Sequence, residues 1–322
     1  MKALRLLAGA GILLVLAWRL GTGAFVDGLR VIDLPSIAAA LGVGLFTTVM
    51  SAMRWCLVAR RLGDPLPLRT AISDYYRALF LNAVLPAGVL GDVHRAVTRG
   101  VRAVVLERMA GQVVLIVVGL AVLFTRPALL SAVAHDLMVV LVAVSALLAA
   151  VVLALAASRW RRALTVFTAD VRKGLLARNT WPGVLVFSAA ALAGHIGLFV
   201  VAARQAGATA PVATLAPLLL LALLVMALPV NVGGWGPREA VTALAFGTAG
   251  LGAHQGLTAA VVYGILAMVA SLPGVAFLFV RRTLPASAGS DASAASAVQE
   301  REVVTERLDE AGEKVPALVG RG

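Results

Sequence analysis

The chain has 322 residues, 61% of them hydrophobic and only 14% charged, with a mean hydropathy of +0.95. A soluble domain is nearer half apolar and a quarter charged, so this composition belongs to a polytopic membrane protein. The net charge of +12 would suit a nucleic-acid binder, but the basic residues fall between apolar runs, as juxtamembrane loops facing anionic lipid do, and no nucleic acid is expected.

Leu, Ala and Val dominate and strand-like alternation is absent, so the fold class is all-α, with about eight transmembrane helices, rather than an outer-membrane barrel. In chain order, "MKALRLLAGAGILLVLAW" has the basic start and apolar run of a signal peptide. No small-x-small cleavage site follows, so it reads as an uncleaved first span over 6–20. Further spans are expected near 36–53, 109–125, 137–157, 183–203, 212–228 and 257–280. Two irregular regions remain, 70–95 and 229–252, and "EAVTALAFGTAG" after Arg238 reads as a short eighth span. From Thr283 the Ala/Ser-rich "PASAGSDASAASAVQ" and a short charged stretch read as a disordered cytoplasmic tail, 283–322, behind a transmembrane domain over 1–282. The single cysteine, Cys56, excludes an internal disulfide and reads as a packing residue. Neither a metal constellation nor a nucleotide-binding loop is evident, so no cofactor is expected.

Orientation follows from Lys and Arg. Residues 1–282 hold 24 of them against 9 Asp/Glu, whereas residues 283–322 hold 4 against 7. With the N-terminus cytoplasmic, twenty basic residues lie inside and only Arg19, Arg30, Arg126 and Arg204 outside. That places both termini in the cytoplasm of a multi-pass plasma-membrane protein provided that the second irregular region crosses once, and the Ala, Arg and Gly richness fits a GC-rich bacterial source.

The irregular regions echo one another. "LPAGVLGDVHR" from Leu85 and "LPVNVGGWGPR" from Leu228 share L-P-x-x-V-x-G-x-x-x-R: Leu85, Pro86, Val89, Gly91 and Arg95 against Leu228, Pro229, Val232, Gly234 and Arg238. Proline removes a backbone donor and glycine permits tight bends, so each motif should end one half-helix and start another. Paired Gly/Pro interruptions in two halves of a membrane protein point to a transporter-type site and, here, to an inverted repeat. Half-helix N-termini attract anions, and the arginine after each break is a bidentate partner for phosphate. Asp92 and Glu239 stand beside those arginines, so internal ion pairing competes with ligand contact, and lipid-surface anchoring is a third use. In "LERMAG", Glu107 needs a partner if it is buried; Arg102 and Arg108 are the nearby choices.

Taken together these residues resemble the lysylphosphatidylglycerol synthase transmembrane-region family, also described as flippase-like membrane proteins. The resemblance rests on Arg54, Trp55, Tyr75, Asn82, Pro86, Gly88, Gly91, Asp92 and Arg95 in the first block, and on "LERMAG" in the second. A late block adds Pro229, Gly233, Gly234, Gly236, Arg238 and Glu239. It covers residues 5–282; Ala87 and Leu90 depart from the usual glycine-rich turn. It implies an integral membrane domain that moves or handles lipids, alone or beside a lipid synthase or glycosyltransferase. The soluble synthase is not part of this sequence, so lysine transfer by this polypeptide is not expected.

The candidate head-group residues are Asn82, Pro86, Gly88, Gly91, Asp92 and Arg95 in the first break, and Pro229, Asn231, Gly233, Gly234, Gly236, Arg238 and Glu239 in the second. Arg54, Tyr75, Glu107 and Arg108 read as structural or ion-pairing residues, and no catalytic residue is assigned. The leading function is translocation of an anionic phospholipid or lipid-linked precursor. The alternatives are an accessory subunit of a lipid synthase or glycosyltransferase, and a membrane-embedded transferase for which Asp92 with His94, or His195, would be the sparse acid–base material.

Overall fold

In the computed structural model the described residues are 28–84, 90–125, 161–226 and 237–279. The spans expected at 6–20 and 137–157, and the tail from 283, lie outside them. Ten helices are described: α1 Leu34–Leu62, α2 Leu68–Val84, α3 Leu90–Arg99, α4 Val101–Phe124, α5 Arg161–Gly174, α6 Trp181–Gln205, α7 Val212–Met226, α8 Pro237–Thr248, α9 Ala253–Ser271 and α10 Pro273–Phe279. No strand occurs among the described residues. α1, α4, α6 and the α9–α10 stretch, Ala253–Leu278, are long and apolar enough to cross a bilayer. α8, read as a short span, has only 12 residues, roughly 18 Å at 1.5 Å per residue, and is too short to cross alone.

α1 shows how local sequence sets a boundary. The Asp33 carboxylate accepts the Ser36 N–H at 2.9 Å, and the Ser36 hydroxyl accepts the Asp33 N–H at 3.1 Å, a reciprocal cap that satisfies two otherwise unpaired donors. The helix stops at Gly63, whose φ of +93° suits a residue without a Cβ. The Ser36 N–H and hydroxyl, with Gln205, hold the Asp33 carboxyl below its ordinary value. A depressed folded-state value means stabilisation that is present above the unfolded value and lost as pH falls through the folded one. Asp33→Ala should therefore lower the melting temperature at neutral pH, and its gap to wild type should close as pH drops below about 3.9, the ordinary aspartate value. A gap that stays constant with pH would refute this account.

The helices fall into two matching series, α1–α4 and α6–α9. Each begins with a long helix that ends near a glycine of positive φ (Gly63, +93°; Gly207, +85°). A shorter helix starts five residues later, and the proline of the break follows it. Next comes a helix of 10 or 12 residues carrying the matched arginine, Arg95 or Arg238. The fourth helix is capped by a glycine of nearly identical conformation, Gly100 at φ +95°, ψ 121° and Gly252 at φ +93°, ψ 123°.

Packing follows the same rule. Within each series the first helix touches the second and fourth, and the third touches its neighbours on either side. Between series, α4–α7 answers α2–α9, and α4–α6 answers α1–α9. The two leading helices, α1 and α6, pack directly on each other, and their pairings run antiparallel: Asp33 with Gln205, Thr47 with Gly194, Arg54 with Ser188, Leu57 with Gly183. These two equivalent helices thus point in opposite directions, as an inverted repeat requires.

Across the first break the chain doubles back: Asn82 meets Gly91 and Asp92, and Asp74 meets Arg99. α3 lies back on α2 so closely that a Cβ on Gly91 would stand 2.6 Å from the Ala78 Cα. Asn82 fastens the hairpin: its Oδ1 accepts the Gly91 N–H at 2.8 Å, and its Nδ2 donates to Asp92 at 3.0 Å. α8 packs against α7 in the second series. The larger apolar core lies in that series, around Phe199, Leu218, Leu219, Phe246 and Tyr263, whereas the first series wraps Trp55 and Tyr75 around charge.

Candidate functional site

Glu107 is fully buried and is the hub of the first series. Its Oε1 accepts from Arg54 Nε at 3.1 Å, from Arg54 Nη2, and from the Tyr75 hydroxyl at 2.8 Å; its Oε2 accepts from Arg95 Nη2 at 3.1 Å. The expected neighbours do not pair with it. Arg102 bonds Asp170 on α5, and Arg108 bonds Asp92 at 2.6 Å. Helix geometry accounts for the correction: residues one and five apart diverge by about 100° and 140° around the axis, so Glu107 faces α1 and α3 while its sequence neighbours face elsewhere.

Arg95 is fully enclosed. Its guanidinium carbon lies 4.2 Å from the Trp55 ring centroid and 4.1 Å from that of Tyr75, and Nη1 donates to Asp92 at 3.0 Å. Of the uses open to it in the sequence, internal ion pairing is the one this geometry displays. Arg54 is likewise buried within a continuous α1 and does not mark the end of a span; its Nη1 donates to Ser188 at 2.9 Å. Gly111 makes room for it, since a Cβ there would come within 2.9 Å of Arg54 Nη1.

Arg108 differs. Its side chain is 39% exposed and one nitrogen bonds Asp92; its Nε, like that of Arg95, has no hydrogen-bond partner among the described residues. It lines a cavity of about 190 Å³ between α1, α4 and α6, with Arg54, Tyr75, Gln112, Ser188 and His195. Thr47, Thr48 and Ser51 complete the polar wall from α1. Three guanidinium groups, Arg54, Arg95 and Arg108, face two carboxylates, Glu107 and Asp92, in this connected cluster. The excess positive charge is therefore beside the cavity. In low-dielectric surroundings, an unmatched charge is costly and attracts a counter-anion.

Arg238 and Glu239, both buried, bond each other at the start of α8, and the Arg238 guanidinium lies 5.4 Å from the Tyr263 ring. The Tyr263 hydroxyl is 3.5 Å from His195 Nδ1, which among the described residues links the Arg238 side to the cavity. Pro86, Gly88, Pro229, Asn231, Gly233, Gly234 and Gly236 lie outside the described residues. The structure thus brings Asn82, Gly91, Asp92, Arg95, Arg54, Tyr75, Glu107 and Arg108 into one assembly. Arg238 and Glu239 form a separate pair.

Several participants had escaped the sequence reading. Ser188, Gln112 and the Thr47–Thr48–Ser51 set line the cavity, and Asp74 binds Arg77 and Arg99. Among the described residues no group of three or more His, Cys, Asp or Glu side chains could hold a metal ion.

Apolar helices that enclose an ionised cluster and a polar cavity define an integral membrane protein built around a polar site. The chain belongs to the family described as the lysylphosphatidylglycerol synthase TM region, whose sequence model matches residues 2–274, and the resemblance read from the sequence is borne out. Membership makes it an integral membrane protein of lipid metabolism. No curated protein and no solved structure gives a match.

Proposed function

We propose that the protein translocates an anionic lipid, whose head group enters the α1–α4–α6 cavity while its acyl chains stay in the bilayer. The observation that carries this reading is the charge imbalance of the cluster, three guanidinium groups against two carboxylates, with Arg108 the partly exposed member beside the cavity. Arg108 is the phosphate partner. Glu107 and Asp92 neutralise Arg54 and Arg95, which act as positioning residues, and Asn82 and Gly91 hold Asp92 in place. The inverted repeat supports the same reading, because two oppositely directed halves can expose a shared central site to either side in turn.

The Arg238–Glu239 pair belongs to the second half of that machinery, and the glycines and prolines of both breaks allow the backbone to approach a head group. The protein sits in a bacterial plasma membrane with both termini cytoplasmic. Arg54, Arg77, Arg95 and Arg238 are buried and anchor nothing at the lipid surface, yet sixteen of the original twenty inside charges remain against four outside, so the bias survives.

In proteoliposomes, wild-type protein should accelerate exchange of a fluorescent anionic phospholipid between leaflets. Arg108→Gln should slow it by about tenfold or more, the scale of one charge-assisted phosphate contact. Arg69→Gln, at an exposed position of α2, should leave it unchanged. Equal rates for Arg108→Gln and wild type would refute the role of Arg108. Wild-type vesicles no faster than protein-free ones would refute translocation.

A further inference from the structure

The inverted repeat carries a titratable side chain near its centre. His195 lies twelve positions before the positive-φ Gly207, as Ser51 lies twelve before Gly63, so the two are equivalent residues of α6 and α1. Both line the α1–α4–α6 cavity. At 1.5 Å per residue, His195 sits roughly 21 Å and 15 Å from the two ends of α6, deep within a span. An ionisable residue at that depth is costly and marks an ion or proton path.

A helix–helix hydrogen bond accounts for little of this placement. The Tyr263 hydroxyl is 3.5 Å from Nδ1, long for such a bond, and His195 is exposed rather than sealed in the core. That contact engages one ring nitrogen and leaves Nε2 to take up a proton. It also survives protonation, since a tyrosine hydroxyl donates to a neutral imidazole and accepts from an imidazolium. The helices packed on α6 bring definite groups to the ring. α1 supplies Arg54, α4 Arg108 and α9 Tyr263, Tyr75 of α2 lines the same cavity, and α7 has no ionisable residue. Behind them, Glu107 pairs with Arg54, Asp92 with Arg108, and Arg238, paired with Glu239, lies over the Tyr263 ring. A phosphate held by Arg108 would stand in the same cavity as His195, and an adjacent anion favours the imidazolium form.

We infer that translocation is proton-coupled, an inference that rests on the translocation reading above: His195 takes up one proton with each lipid phosphate and carries it across. The N–H bond at Nε2 forms from water on the side where the head group enters and breaks to water where it leaves. A phosphate monoanion and a proton are together neutral, so the membrane potential does not act on the pair as it does on a lone charge. Proton and head group favour each other's binding by the same factor, so a proton gradient drives the lipid in its own direction.

The test is the leaflet distribution of fluorescent phosphatidylglycerol in proteoliposomes of the full chain, read at plateau under a gradient of about one pH unit. Protein-free vesicles under the same gradient give the baseline. With one proton per lipid, wild type should drive the probe toward the alkaline leaflet to a ratio approaching about tenfold over that baseline, the free energy of one pH unit. A proton–potassium exchanger should abolish the asymmetry. His195→Asn keeps a polar atom near the place of Nδ1 but does not titrate; it should still exchange the probe measurably, with the ratio held at the baseline. His195→Gln takes its place, under the same readings, where His195→Asn does not fold. Wild type that exchanges the probe without accumulating it would overturn this inference and leave the translocation reading standing. Accumulation by the variant equal to wild type would also overturn it, as would a folded variant that exchanges nothing, since the imidazole would then serve passage itself and not coupling. Wild-type vesicles no faster than protein-free ones would overturn the translocation reading, and the coupling with it.

Discussion

Replacing Glu107 with glutamine should be the most damaging single substitution at the ionised cluster. One carboxylate accepts from two guanidinium groups and a phenol, all buried. Glutamine keeps the volume and one acceptor oxygen but removes the charge, and its amide directs two donors into a site lined by guanidinium groups, which themselves only donate. Removing one partner of a buried ion pair costs about 3–5 kcal/mol, because the remaining charge stays desolvated and unmatched. For a chain of this size the melting temperature should fall by roughly 10 °C, measured by size-exclusion recovery after heating in detergent. The effect should also be non-additive. Once Arg54 is already methionine, part of the stranded charge is gone, so Glu107→Gln on that background should cost distinctly less than it does alone. Full additivity would mean that the two side chains do not act as one unit.

This hub was half visible in the sequence. A carboxylate beside an apolar span signals that a cation must be near, and Arg54, Tyr75 and Arg95 were all singled out. Their convergence was not visible, because it depends on α3 folding back over α2 and on the azimuth of α4. The nearest arginines in sequence were therefore the natural, mistaken choice.

The cavity wall was more legible than it was read. Thr47 or Thr48, Ser51 and Arg54 recur every three or four residues on α1, as Arg108, Gly111 or Gln112 and Leu115 do on α4, and Ser188, Ala191 or Leu192 and His195 on α6. Small and polar residues at helical spacing inside an apolar run mark a face turned away from lipid. Read as spans alone, these helices gave up their length but not their facing. The inverted repeat was announced by only five matching letters. Its firmer evidence, the paired positive-φ glycines and the antiparallel register of α1 on α6, is backbone geometry that letters do not carry.

The break itself makes the second large prediction. Gly91→Ala, the smallest change that can be made there, adds one methyl group where α3 meets the backbone of α2: 2.6 Å from the Ala78 Cα and 2.7 Å from its carbonyl carbon. Backbone cannot rotate aside as a side chain can, so the two helices must separate. Overpacking of this kind costs about 1–3 kcal/mol. The functional loss should be larger than that figure implies, because separation stretches the Asn82 bonds to Gly91 and Asp92, and Asp92 in turn orients Arg95 and Arg108. Lipid exchange in proteoliposomes should fall by about tenfold or more, as misplacement of an orienting group does. Gly42→Ala in α1 is the control: among the described residues nothing lies within 4 Å of its added Cβ, and alanine is the better helix former by roughly 0.5–1 kcal/mol, so stability should hold or rise and exchange should not change. If Gly91→Ala were as harmless as Gly42→Ala, α3 would not be held against α2 in the working protein. The arginine of the first break would then be free to meet a head group directly instead of acting through Asp92 and Glu107.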